Sequence, residues 1–74
     1  MKVKNIPYNI LSNSILGKTV NFKSDCEFFP NFNVTGKVYK LDLRQDETLI
    51  YVKTRQGKKL TIGSNMKNLE YTII

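Results

Sequence analysis

The sequence contains no histidine and no tryptophan, and Cys26 is its only cysteine. A single cysteine excludes an intramolecular disulfide, and without histidine a zinc site made of cysteine and histidine is excluded too. The absence of histidine also removes the commonest general base of enzymes. The four glycines are spread singly and form no phosphate-binding loop. We expect a protein that is not an enzyme and that uses no metal or cofactor.

Long apolar runs are also absent. No stretch approaches the roughly 20 residues that a membrane-spanning helix needs, and the first residues are too polar for a signal peptide. A lone cysteine suits a reducing compartment, so we predict a cytoplasmic protein with no membrane partner and with Cys26 as an unreactive thiol. Lysine, asparagine and isoleucine are frequent, a usage typical of AT-rich genomes, which suggests a phage or prophage origin.

The chain of 74 residues carries twelve lysine and arginine residues against six aspartate and glutamate residues, a net charge of +6. A chain this short forms one domain and buries only about 60% of its unfolded surface. The excess positive charge favours an anionic partner and speeds association with it. The same charge also keeps a protein soluble, and it does not distinguish a nucleic acid from an acidic protein. The sequence leaves the partner and the oligomeric state open.

From residue 18 onward, apolar and polar residues alternate with the period of half-buried strands, and β-branched and aromatic residues are frequent. We predict an all-β domain over residues 17–74, preceded by a short segment, 1–16. The predicted strands are 18–23, 34–43, 48–54, 58–62 and 68–74, with a loop at 24–33, turns at 44–47 and 55–57, and one helical turn at 63–66. The predicted core residues are Val20, Phe22, Val38, Ile50, Val52, Leu60, Ile62 and Leu69.

The second predicted strand changes its apolar register. Val34 and Val38 stand at even-numbered positions of the strand, whereas Leu41 and Leu43 stand at odd-numbered positions. Because alternate side chains point to opposite faces, both pairs reach one core only if an extra residue is inserted between them. We therefore predict a β-bulge or sharp bend near Tyr39, as closing a barrel requires.

The hairpin at 55–57 is predicted from the same alternation. Val52 and Leu60 face one core only if the loop between their strands has an odd number of residues. A three-residue loop ends on a left-handed residue, and Gly57 stands at that position.

Two structures suit residues 1–16. Tyr8, Leu11 and Ile15 follow Pro7 at helical spacing, which predicts a short helix. Residues 3–8 equally fit an extended arm along the edge of the sheet. We favour the helix.

Five short strands, a long irregular loop after the first and a helical turn before the last resemble an SH3-like barrel. The matching segments are Gly17-Lys18-Thr19-Val20, the loop Ser24 to Asn33, Gly36-Lys37-Val38, Gln56-Gly57-Lys58 and Asn68-Leu69-Glu70. They cover residues 17–74 and are motifs that many small barrels share. The resemblance implies a small five-stranded SH3-like barrel. It does not imply binding of proline-rich peptides, because the tryptophan and the Ala-Leu-Tyr-Asp-Tyr-like stretch of peptide-binding SH3 domains are missing.

The chain is also similar to Sm-like RNA-binding proteins, which begin with a short helix and continue into a bent five-stranded sheet. The segment Gly36–Asp42 is similar to a strand of that family that ends in aspartate, and Ile62-Gly63-Ser64-Asn65 to a later glycine-containing motif. The turn after Asp42 is longer than that family's, and the family's asparagine is absent. This second resemblance implies RNA as the partner.

On the sheet face opposite the predicted core, lysines and tyrosines alternate. Lys37 and Tyr39 lie on one strand, Tyr51 and Lys53 on the next, and Lys59 on the third. The three-residue hairpin sets Lys53 opposite Lys59, which is unfavourable between like charges. Cations interleaved with aromatic rings suit single-stranded nucleic acid. Exposed lysines also discourage aggregation of sheet edges, without any binding function.

The loop after the first strand offers a different surface. Phe28, Phe29 and Phe32 lie within five residues. We predict that Phe32 plugs the core. Phe28 and Phe29 either plug the core as well or form an exposed apolar patch for a protein partner or for self-association. The first functional prediction is therefore a small non-catalytic module, a protein-interaction or accessory protein. A nucleic-acid-binding barrel is the alternative, and a structural subunit of a larger assembly is the third.

Overall fold

The computed structural model describes residues 2–3, 6–25, 28 and 31–74. It contains one helix and five strands: α1 (Tyr8–Ile15), β1 (Thr19–Ser24), β2 (Phe32–Leu43), β3 (Thr48–Thr54), β4 (Lys59–Gly63) and β5 (Glu70–Ile73). The all-β class is confirmed, and each strand begins and ends within two residues of its predicted bounds. The predictions for Cys26 and Phe29 lie outside the described residues.

The strands form one antiparallel sheet in the order β4-β3-β2-β1-β5. Among the five described strands β4 pairs with β3 alone and β5 with β1 alone, so the sheet is not closed into the barrel that the resemblance implies. The segment 64–69 connects these two edge strands, and it contributes the buried Leu69 and the half-buried Met66 to the core. The chain between β4 and β5, rather than hydrogen bonds between these two strands, links the two edges, and α1 packs against β2.

The core receives side chains from the helix and from all five strands. Its buried apolar members are Val3, Leu11, Ile15, Val20, Phe22, Val38, Leu41, Ile50, Val52, Ile62, Leu69 and Tyr71. Full burial of a large apolar side chain contributes about 1.5–3 kcal/mol. Seven of the eight predicted core residues are buried. Leu60 is only half-buried, because it lies next to the hairpin on the edge strand β4.

The N-terminal segment combines the two predicted structures. In α1, Leu11 and Ile15 lie one turn apart and are both buried. Before the helix, the Val3 amide donates to the Leu69 carbonyl at 2.9 Å, and a bridge joins Lys2 to Glu70 at the start of β5. The helix is therefore confirmed, and a short extended stretch precedes it.

The β-bulge predicted near Tyr39 is present in β2. Val38 pairs with Val52, and Leu41 pairs with Ile50, so three steps along β2 match two steps along β3. All four of these apolar residues are buried. The extra residue keeps both halves of the long strand β2 in contact with one core.

The segment after β4 differs from its prediction. Two successive turns replace the helical turn at 63–66: the Met66 amide donates to the Gly63 carbonyl, and the Leu69 amide to the Met66 carbonyl, each at 3.2 Å. The Ser64 amide donates to the Thr48 carbonyl at 2.9 Å, which continues the β3–β4 pairing past Gly63. This bond extends the β3–β4 ladder by one residue before the chain turns away.

The β3–β4 hairpin has the predicted three-residue loop and register. The Thr54 amide donates to the Lys58 carbonyl at 2.8 Å, and the Gly57 amide to the Thr54 carbonyl at 2.9 Å. Gly57 has a φ of +85°, in the left-handed region that disfavours a Cβ.

Gly57→Ala is expected to destabilise the fold by about 1 kcal/mol, because an L side chain is strained at this φ. Apart from the two neighbouring residues, no atom of the described residues lies within 4 Å of an added Cβ, so the expected loss comes from backbone strain. Urea denaturation of the two chains measures it. An unchanged midpoint would exclude the left-handed loop residue.

Gly36 requires the absence of a side chain for a different reason. An added Cβ would lie 2.6 Å from the Lys53 carbonyl oxygen and 2.6 Å from Val52 Cγ1. Gly36→Ala is therefore expected to destabilise by about 1–3 kcal/mol, as overpacking in a core does. In the same urea experiment its loss should exceed that of Gly57→Ala. A tolerated alanine at position 36 would contradict the close approach of β2 to β3.

Candidate nucleic-acid interface

The buried face of the sheet determines what lies on its other face. Because side chains alternate along a strand, burial of Val38 and Val52 turns Lys37 and Lys53 outward. Lys37 pairs with Lys53, and Lys53 pairs with Lys59. These three residues, which we call the lysine row, cross β2, β3 and β4 side by side. The sequence predicted that Lys53 faces Lys59; the third member follows from the β2–β3 register.

The lysine row is exposed and has no neutralising carboxylate among the described residues. In that part of the chain the one ion pair joins Arg44 Nε to Asp42 Oδ2 at 3.0 Å, off the row. Neighbouring strands lie about 4.8 Å apart, so the Cα atoms of the row span only about 10 Å. Like charges that face each other across strands reduce stability. The row is thus an unfavourable arrangement that an anionic ligand would relieve.

The two predicted tyrosines lie beside the lysine row. Their ring centroids are 6.1 Å apart, with the ring planes tilted by 50°. Tyr39 is 43% exposed and Tyr51 is half-buried. Lys59 Nζ lies 5.9 Å from the Tyr39 ring centroid, within the range of a cation–π contact. The structure therefore brings all five residues of the predicted basic and aromatic face together.

Lys40 also belongs to this face, although its position in the sequence does not suggest it. Two successive residues of a regular strand point to opposite faces. At the bulge, however, Tyr39 and Lys40 both approach Tyr51: Lys40 Nζ lies 5.2 Å from the Tyr51 ring centroid, and the two rings are in contact. The predicted bulge could have identified Lys40 as a member of this face, because an extra residue in a strand places two successive side chains on the same side of the sheet.

An open cleft of about 930 Å³ borders the lysine row. Its lining includes Lys37, Lys53 and Tyr39, together with Arg55 from the β3–β4 loop and Ile74 after β5. Arg55 adds a further exposed cation to this region. Sequence reasoning did not find the cleft, because its walls come from segments that are far apart along the chain.

The aromatic loop after β1 is described at Phe28 and Phe32. Phe28 is 85% exposed. Phe32 packs against the core, as predicted, and is half-buried. Phe29 lies outside the described residues. The proposed apolar patch therefore rests on one described side chain.

Comparison with protein-family models, with curated proteins and with solved structures found no match to the chain. Within the described ranges, no three metal-ligating side chains come together. In the same residues, no helix has the length and apolar character needed to cross a membrane. Arguments about function therefore start from the lysine row and its neighbours.

Lys53→Gln is expected to raise the free energy of unfolding by about 0.2–1 kcal/mol, because Lys53 faces a like charge on both sides. Lys59→Gln should change it less, since Lys59 faces one lysine and also contacts the Tyr39 ring. Urea denaturation at low and high salt tests both variants, and the gain should fade as salt screens the charges. A less stable Lys53→Gln chain would show that the row is not repulsive.

Proposed function

We propose that this protein binds single-stranded nucleic acid through its basic face, formed by Lys37, Tyr39, Tyr51, Lys53 and Lys59. The observation that carries the proposal is the lysine row, three unneutralised cations paired side by side across three strands. Phosphates of a nucleic acid backbone would neutralise these charges and release counterions.

The tyrosines favour a nucleic acid over other polyanions. Bases of a single strand stack on aromatic side chains while the backbone follows a positively charged groove. Tyr39 offers an exposed ring within this face, and Lys59 and Lys40 lie over the two rings. An acidic protein would use the charges and gain little from the rings.

The proposal is for binding with little sequence preference. Sequence-specific reading of a duplex commonly uses a helix in the major groove, positioned by contacts to phosphates. The one helix among the described residues, α1 (YNILSNSI), carries no charged residue. The sheet face is basic and aromatic, which are the features of single-strand binding.

A protein-interaction or accessory function is the second candidate, and the exposure of Phe28 supports it. Large apolar side chains in solvent mark contact surfaces when they form a patch. One described residue is weaker support than a row of three lysines. The proposed setting for either function is the cytoplasm, on the argument from the lone Cys26.

The fold-family resemblances also belong to this proposal. Five antiparallel strands around one core are in keeping with an SH3-like barrel. A short helix before the five strands is equally in keeping with the Sm-like resemblance, which implies RNA. Both resemblances agree with a small binding module.

The test is fluorescence anisotropy with labelled single-stranded DNA and RNA at two salt concentrations. Changing Lys53 and Lys59 together to glutamine should weaken binding and flatten its salt dependence. The slope of log K against log salt is about −0.7 per phosphate contact for single strands, so two lost contacts should flatten it by about 1.4.

The matched control changes Lys23 and Lys67 to glutamine, which removes the same charge from exposed positions outside the row. Lys23 pairs with Asn33, four residues from Lys37 along β2 and so about 13 Å away. The control should bind nearly as the wild type does. Equal losses of affinity in the two double variants would show that binding depends on net charge and not on the lysine row. Absence of wild-type binding at low salt would overturn the proposal.

A further inference from the structure

The cleft beside the lysine row has two kinds of wall. Lys37, Lys53 and Arg55 provide positive charge, whereas Tyr39 and Ile74 provide exposed apolar surface, with Ile74 74% exposed. A site for inorganic anions alone would have no use for the apolar side. A volume of about 930 Å³ falls within the range of roughly 300–1,000 Å³ seen for small-ligand sites.

Hydroxyl groups complete the lining. Thr19 of β1 pairs with Lys37 of β2, and Thr35 of β2 pairs with Asn21 of β1. Both threonines belong to the cleft lining. Thr35 Oγ1 accepts a hydrogen bond from Asn21 Nδ2 at 2.9 Å. Because a hydroxyl can accept and donate at once, the Thr35 hydrogen remains able to donate to a ligand. Asn21 is held by a further 2.6 Å bond to Asn33 Oδ1, so this wall is fixed in position.

We infer that the cleft is a nucleobase subsite: one base of the bound strand enters it and contacts Tyr39 and Ile74. The phosphates on either side of that base contact Lys37 and Lys53 in one direction and Arg55 in the other. This inference rests on the proposed function and adds where a base binds. It places the base on the side of Tyr39 that faces the cleft, and not on Tyr51, which is not part of the cleft lining.

The supporting backbone is well placed for such a subsite. The Ile74 amide donates to the Thr19 carbonyl at 2.9 Å, which fixes the chain after β5 against β1. Arg55 lies in the loop that Gly57 closes, and the Lys58 amide donates to Thr54 Oγ1 at 3.2 Å. Both sides of the cleft are thus anchored by hydrogen bonds to neighbouring strands.

The test compares two labelled 10-nucleotide probes of equal charge: oligodeoxythymidylate and an oligomer of abasic residues. By anisotropy at fixed salt, the wild type should bind the probe with bases at least about tenfold more tightly, since each stacked base contributes about that factor. Ile74→Ala and Tyr39→Ala should each reduce this ratio several-fold and leave binding of the abasic probe unchanged.

The controls are Ile10→Ala, which truncates an exposed isoleucine of α1, and Phe28→Ala, which removes an exposed ring from another surface. Neither should change the ratio. Equal wild-type affinity for the two probes would overturn the base subsite while leaving nucleic-acid binding intact. A ratio that does not change in Ile74→Ala and falls in Tyr51→Ala would place the bases on the open face and also overturn it. Failure of both probes to bind would overturn the subsite together with the proposed function.

Discussion

The structure depends on one inserted residue in β2. Val38 and Leu41 are three positions apart, yet they pair with Val52 and Ile50, which are two apart, and all four are buried. Without the bulge, one half of β2 would turn its apolar side chains to solvent and its polar ones to the core. Full burial of side chains of this kind contributes about 1.5–3 kcal/mol each.

The same bulge shapes the outer face. It brings Tyr39 and Lys40 to one side of the sheet, and both approach Tyr51 there. The like charges of the adjacent lysine row repel one another, and the packing of the core does not account for the row. The fold tolerates this repulsion because its core is complete on the opposite face. A surface that is unfavourable alone but complementary to a polyanion is the arrangement expected of a binding site.

Alternation along single strands was enough to predict the strand positions, the bulge and the hairpin register, because these follow from which residues must be buried. The open edges of the sheet were not predictable, since alternation along single strands does not say whether β4 and β5 come close enough to pair. The full lysine row required the β2–β3 register, which links strands through a four-residue turn. The cleft was missed because the sequence gives no distance between Arg55 and Ile74.

The most direct test of this account is a titration of the ¹⁵N-labelled protein with oligodeoxythymidylate, followed by two-dimensional NMR of the backbone amides. The account predicts chemical-shift changes concentrated at Lys37, Tyr39, Lys53 and Lys59, with α1 and the residues around Phe28 unaffected. Changes centred on Phe28 or on α1, with the lysine row silent, would contradict the central claim that this row is the binding surface.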